Sequence, residues 1–210
     1  MDRHYRRHLP HQVPKGFPIF LTWNLKGAFS LHGVERIRNE RERLRKEPSR
    51  GETLSERKVR HDKLIFALSD RFLDNAEHGP LDLKDAANAK IVEDEILSGA
   101  NVRYELLAWC ILANHVHVLL LPNLDLEIVT QKIKGRTAFE INGRQSQRGR
   151  VFWQSESYDH WARNEEEVYR IIAFIENNPV VADLCKLPEE WRWSSARHRK
   201  DWQIGKPYVG

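Results

Sequence analysis

A chain of 210 residues with 40% hydrophobic residues and seven tryptophans is long enough to bury a core, and it reads as one folded domain over residues 1–210. Charged residues make up 30% of it and no apolar run approaches the roughly 18 residues of a membrane span, so a soluble, cytoplasmic protein with no membrane partner is expected. The net charge of +4 permits nucleic-acid binding without requiring it, and two isolated cysteines, Cys110 and Cys185, exclude a disulfide framework or a cysteine-rich metal site.

Residues 1–15 carry Arg3, Arg6, Arg7 and Lys15 among three histidines, with few acids, and read as a basic arm. Residues 17–25 read as a first strand. A dense run of both charge signs follows, and its i,i+4 spacing makes about 33–51 a solvated helix or mobile insertion rather than a dedicated DNA contact. Leu54, Val59, Leu64, Ile65, Leu68, Phe72 and Leu73 recur at helical spacing, and His78-Gly79-Pro80 stops that helix near residue 76. Residues 83–97 repeat the pattern and Gly99 ends it. Residues 102–111 are β-like, and a short break at 112–114 turns the chain into a second strand, giving a hairpin.

Residues 126–142 predict a helix bearing Lys132, Lys134 and Arg136, followed by a basic loop at 143–150. Residues 151–161 are mixed and aromatic, with no element assigned. Asn164 is placed to cap a helix with Glu165, Glu166 and Glu167 in its first turn, Ile171, Ile172 and Ile175 on its buried face, and Pro179 as its stop. Strand, helices, hairpin and helix in this order predict an α+β fold, an antiparallel sheet with helices packed on one face.

The hairpin's second strand opens Asn114-His115-Val116-His117-Val118. Side chains two apart share a strand face, so His115 and His117 project side by side and could hold a metal ion. The bland alternative is one core and one surface histidine. A histidine-triad nucleotide hydrolase would need a third histidine where Leu119 stands, a two-histidine phosphoesterase would need a second His-x-Thr/Ser segment, and a structural zinc site would need two more ligands. A hard-metal site needs oxygen or further nitrogen ligands and a nucleophile elsewhere.

Taken in order, Asn114-His115-Val116-His117, Phe152-Trp153-Gln154, Tyr158-Asp159-His160, Arg163-Asn164-Glu165-Glu166, Ile175-Glu176-Asn177-Asn178-Pro179-Val180 and Trp193-Ser194-Ser195 resemble the single-tyrosine HUH transposases. They look most like the REP-associated branch, as do Arg7-His8-Leu9-Pro10-His11 and the strand bearing Thr22; about 33–51 is the exception. The resemblance implies a ferredoxin-like, RNA-recognition-like sheet, with the histidine pair on a central strand and the tyrosine carried from the other side of a cleft. It also implies single-stranded DNA nicking and strand transfer on a palindromic hairpin, with Tyr158 forming a 5′-phosphotyrosine link.

By the same resemblance His115 and His117 hold Mg²⁺ or Mn²⁺, and a third ligand is expected near the tyrosine. His160 serves if it shares a strand face with Tyr158; Asp159, Asn164 or Glu165 serve on another backbone. Arg6, Arg7, Lys132, Lys134, Arg136, Arg150 and Arg163 are candidate phosphate contacts, with ordinary solubility charge as the alternative for each. The working unit is a monomer or homodimer, nucleoid-associated. Two competing readings remain: a non-catalytic nucleic-acid-binding protein on the same fold, and an RNA-binding module, which should show aromatic residues where the histidines sit.

Overall fold

The computed structural model describes residues 16–48, 51–76 and 78–208, so the basic arm, with Arg6 and Arg7, lies outside the described residues. Four strands, β1 (Ile19–Asn24), β2 (Tyr104–Ile111), β3 (His115–Pro122) and β4 (Tyr158–Trp161), form an antiparallel sheet in the order β2-β3-β1-β4. The helices are α1 (Leu31–Lys46), α2 (Leu54–Asn75), α3 (Ala86–Gly99), α4 (Leu126–Arg144) and α5 (Glu165–Val181). The α+β class is as the sequence predicts.

Strand alternation divides the core in two. Ile19, Leu21 and Trp23 of β1 and Val116, Val118 and Leu120 of β3 point to one face, where Val92 and Ile96 of α3 and Val129, Ile133 and Ile141 of α4 cover them. Phe20 and Leu119 point to the other face, against Ile171, Ile172 and Ile175 of α5 and Phe66 of α2. The helices therefore lie on both faces of the sheet, not on the one face expected from the sequence, because Phe20 and Leu119 on the second face also need cover from water, beside the buried polar Thr22, His115 and His117.

Ser30 caps α1 and a full Thr53–Glu56 capping box starts α2, so the charged segment folds as a helical hairpin rather than a loose insertion. Two further features depart from the sequence reading. Residues 158–161 form an edge strand where no element is assigned, and α5 runs through Pro179 to Val181 instead of stopping at it. Pro179 lacks only the one amide, and the following carbonyls are recovered: Ala182 N donates to Asn178 O and Leu184 N to Pro179 O. The tail is tied to β2, as its aromatic residues suggest, since Ile111 N donates to Trp193 O and Trp191 Nε1 to Ile111 O.

Candidate active site

The histidine pair sits on β3, an internal strand, and both rings are fully buried. Asn114 sets the tautomer of His115, and Thr22 holds the other ring. Asn114 commits its Nδ2 to Leu73 O, so its Oδ1, 2.7 Å from His115 Nδ1, accepts; the neutral imidazole therefore carries its proton on Nδ1 and its lone pair on Nε2. Thr22 Oγ1 stands 2.7 Å from His117 Nδ1 and can accept in the same way. The two Nε2 atoms are 3.1 Å apart. Burial lowers the pKa of both rings, that of His115 to about 3, so both are neutral and fit to donate to a metal.

Asp70 and Asp74, four apart on α2, face this pair. Asp70 Oδ1 lies 3.4 Å from His117 Nε2 and 3.9 Å from His115 Nε2, and Asp74 Oδ1 lies 3.6 Å from His115 Nε2. Asp70, His115 and His117 together are able to hold one ion, with ligand atoms within 4.8 Å of one another. Three buried oxygens here have no hydrogen-bond partner among the described residues: Asp70 Oδ1, Asp74 Oδ1 and Asn178 Oδ1. Burial, and for Asp70 the neighbouring Asp74 as well, pushes these carboxyls up to about 8 and about 7. Lone pairs converging on buried, partnerless oxygens are what a divalent cation satisfies, and a mixed nitrogen and carboxylate set suits Mn²⁺ or Mg²⁺.

Tyr158 comes from the edge strand β4 of the same sheet, not from across the cleft. Thr22 of β1 is the register partner of both His117 and Tyr158, so the three share one row and one face, with Tyr158 two strands from the histidine, roughly 10 Å at ordinary strand spacing. Its ring stacks on Phe66 at 4.2 Å. Burial, and then the charges of Asp62, Asp159 and Glu167, raise the phenol's pKa above its ordinary value.

His160 shares the face of Tyr158 but does not join the pair. It falls in the next row, opposite Phe20, whose ring stands 5.7 Å from that of His117, and its Nε2 is 2.8 Å from Glu167 Oε1. Burial works against the Glu167 carboxylate, but His160, the Arg163 amide and Lys63 outweigh it and hold the group down to about 2; burial keeps His160 itself neutral as the donor. Asn164 caps α5 through Glu167 N, and Glu165 accepts from Tyr169. The carboxylate that meets the histidines is Asp70. The sequence held a signal for it, two aspartates four apart beside Leu73 on one stripe of an otherwise apolar helix face.

A cleft of about 870 Å³ runs along this face, lined by Thr22, Asp70 and Tyr158 from the site and by α1 and α2 beside it. Several predicted phosphate contacts are engaged within the protein. Lys134 Nζ donates to Gln154 O and Ser155 O, holding the loop before Tyr158. Arg136 pairs with Glu140 and Glu95, Arg150 with Asp82, and the Arg163 guanidinium lies 5.3 Å from the centre of the Trp161 ring. Lys132 is exposed on α4.

No curated protein matches the chain in sequence. A solved structure of a REP-associated tyrosine transposase bound to a REP hairpin matches in fold, with a TM-score of 0.54 and 17% identity, over 100% of this chain and 92% of that one. The family model described as "Transposase IS200 like" matches residues 90–178, which hold the histidine pair, Tyr158 and Asn178 but neither Thr22 nor Asp70. Over that segment, which is less than half of the chain, the protein is similar to the IS200-like transposases.

Proposed function

We propose that this protein is a metal-dependent enzyme that nicks single-stranded DNA beside a hairpin and transfers the cut end. The observation that carries the reading is the convergence of two neutral imidazole Nε2 atoms on the partnerless Asp70 Oδ1. His115, His117 and Asp70 would hold Mg²⁺ or Mn²⁺, with Asp74 and Asn178 at hand, and such an ion supplies Lewis-acid stabilisation of charge on a scissile phosphate. Asn114 fixes His115 in the tautomer that donates, and Thr22, by accepting from His117 Nδ1, would do the same for His117. The match of residues 90–178 to IS200-like transposases and the fold shared with a hairpin-bound transposase support DNA, and hairpin DNA, as the substrate.

Tyr158 is the proposed nucleophile. Its Oη forms a bond to phosphorus as the bond from phosphorus to the 3′ oxygen breaks; the phenol proton leaves to solvent and the departing oxygen takes one up, giving a 5′-phosphotyrosine and a 3′-hydroxyl. The raised phenol pKa favours a second reading. Burial first, and then the charges of Asp62, Asp159 and Glu167, oppose a phenolate at this position, as they would in a protein that binds the hairpin without cutting it.

One incubation separates the two. Labelled hairpin DNA with a single-stranded tail, Mn²⁺ and the protein should yield a denaturation-resistant protein–DNA adduct, absent with Tyr158→Phe. Tight binding with no adduct establishes the binding reading, and an adduct that survives Tyr158→Phe assigns the nucleophile to another side chain.

A further inference from the structure

The α1–α2 hairpin lies outside the family-matched segment, and its abundant charge reads in sequence as solvated surface. The structure separates cations held by carboxylates from cations that face the cleft. Four are held: Arg38 with Glu35, Arg43 with Glu40, Arg60 with Glu47 and Glu52, Lys63 with Glu167. Arg41, Arg45 and Lys58 are exposed, line the cleft that contains Asp70 and Tyr158, and make no ion pair within 4.0 Å among the described residues. Arg41 and Arg45 are four apart on one face of α1, and Lys58 stands beside them on α2.

We infer that Arg41, Arg45 and Lys58 form a phosphate-binding wall that seats the backbone of a single DNA strand along the cleft, leading it to the histidine centre. The inference rests on the DNA-processing reading and specifies which residues receive the strand. Unpaired cations keep their full attraction for phosphate, whereas a cation already bonded to a carboxylate must lose that partner first. The lining also includes Phe29, Tyr158 and Trp161, and interleaved cations and aromatic rings are what an unpaired strand, with bases free to stack, requires. Acids act against the wall: Asp62, half-buried between the charges of Lys58 and Arg41, offsets part of their field, and Glu156 and Asp159 also line the cleft.

The test is fluorescence anisotropy of labelled oligodeoxythymidine with the full chain in EDTA, so that metal binding and cleavage play no part. Changing Arg41, Arg45 and Lys58 together to Gln should weaken binding about a hundredfold at 0.1 M salt and lower the slope of log affinity against log salt by about 2, as expected for three lost contacts to a single strand. The double variant Arg36→Gln/Arg43→Gln, on the opposite side of α1, should bind as the parent does, and Asp62→Asn should bind severalfold more tightly. Equal affinity and slope in the triple variant and the parent would overturn the wall while leaving the DNA reading intact, and so would an equal loss in the Arg36/Arg43 control. Failure of the parent to bind either this probe or a tailed hairpin would overturn both.

Discussion

Thr22 and Asn114 do for the histidines what sequence spacing cannot: each takes one ring nitrogen, leaving the other aimed at Asp70. Thr22→Val keeps the shape and loses the hydroxyl, so Mn²⁺ affinity should fall about tenfold to a hundredfold with little change in fold, read by titration calorimetry and circular dichroism. The buried carboxyls set a pH dependence. Asp70 and Asp74 titrate in the folded chain near about 8 and about 7 against an ordinary 3.8, so the stability they confer is complete below 3.8 and lost as pH rises through their folded values. The histidines, depressed from 6.5, act oppositely, with stability present above 6.5 and lost as pH falls. The two effects oppose each other between 3.8 and 6.5, and from 6.5 to about 8 only the carboxyls act. The Tm of metal-free protein should therefore decline over pH 6.5 to 8, and Asp70→Asn should flatten the decline. A Tm that is flat or rises across that window in the parent protein would contradict it.

Helix α2 carries the carboxylates to the sheet, and its start is set by the Thr53–Glu56 capping box. Thr53→Ala should lower stability by about 1 kcal/mol in a denaturant titration while Mn²⁺ affinity stays at the parent value, since the cap lies several turns from Asp70. The elements that were legible in sequence have clear periods. α2 announces itself by helical spacing and a Gly-Pro stop, and β3 by alternation, which also places His115 and His117 on one face. β4 is only four residues long and is made a strand by pairing with β1, a contact no local pattern records. The resemblance implies a third metal ligand near Tyr158; Asp70 instead reaches the site from a helix 45 and 47 residues upstream of the histidines, a packing outcome of the long-range core between Phe66 and Phe20. Pro179 failed as a stop because the last turn of α5 can lose one amide and continue.

At the scale of the molecule, the chain joins two parts around one cleft. Residues 90–178, similar to the IS200-like transposases, supply the histidines and Tyr158, while β1 and the α1–α2 hairpin supply Thr22, Asp70, Asp74 and a row of cations with no ion pair among the described residues. Among the described residues no helix is long and apolar enough to cross a membrane. The central claim is that Asp70, and not His160, completes the histidine pair as a metal centre. Titrating Mn²⁺ into the chain while following the free-ion electron paramagnetic resonance signal tests it directly. The account predicts saturable uptake by the parent and by His160→Gln with equal affinity, and uptake at least tenfold weaker for Asp70→Asn and for His117→Ala. Uptake that is lost with His160→Gln but kept with Asp70→Asn would contradict it.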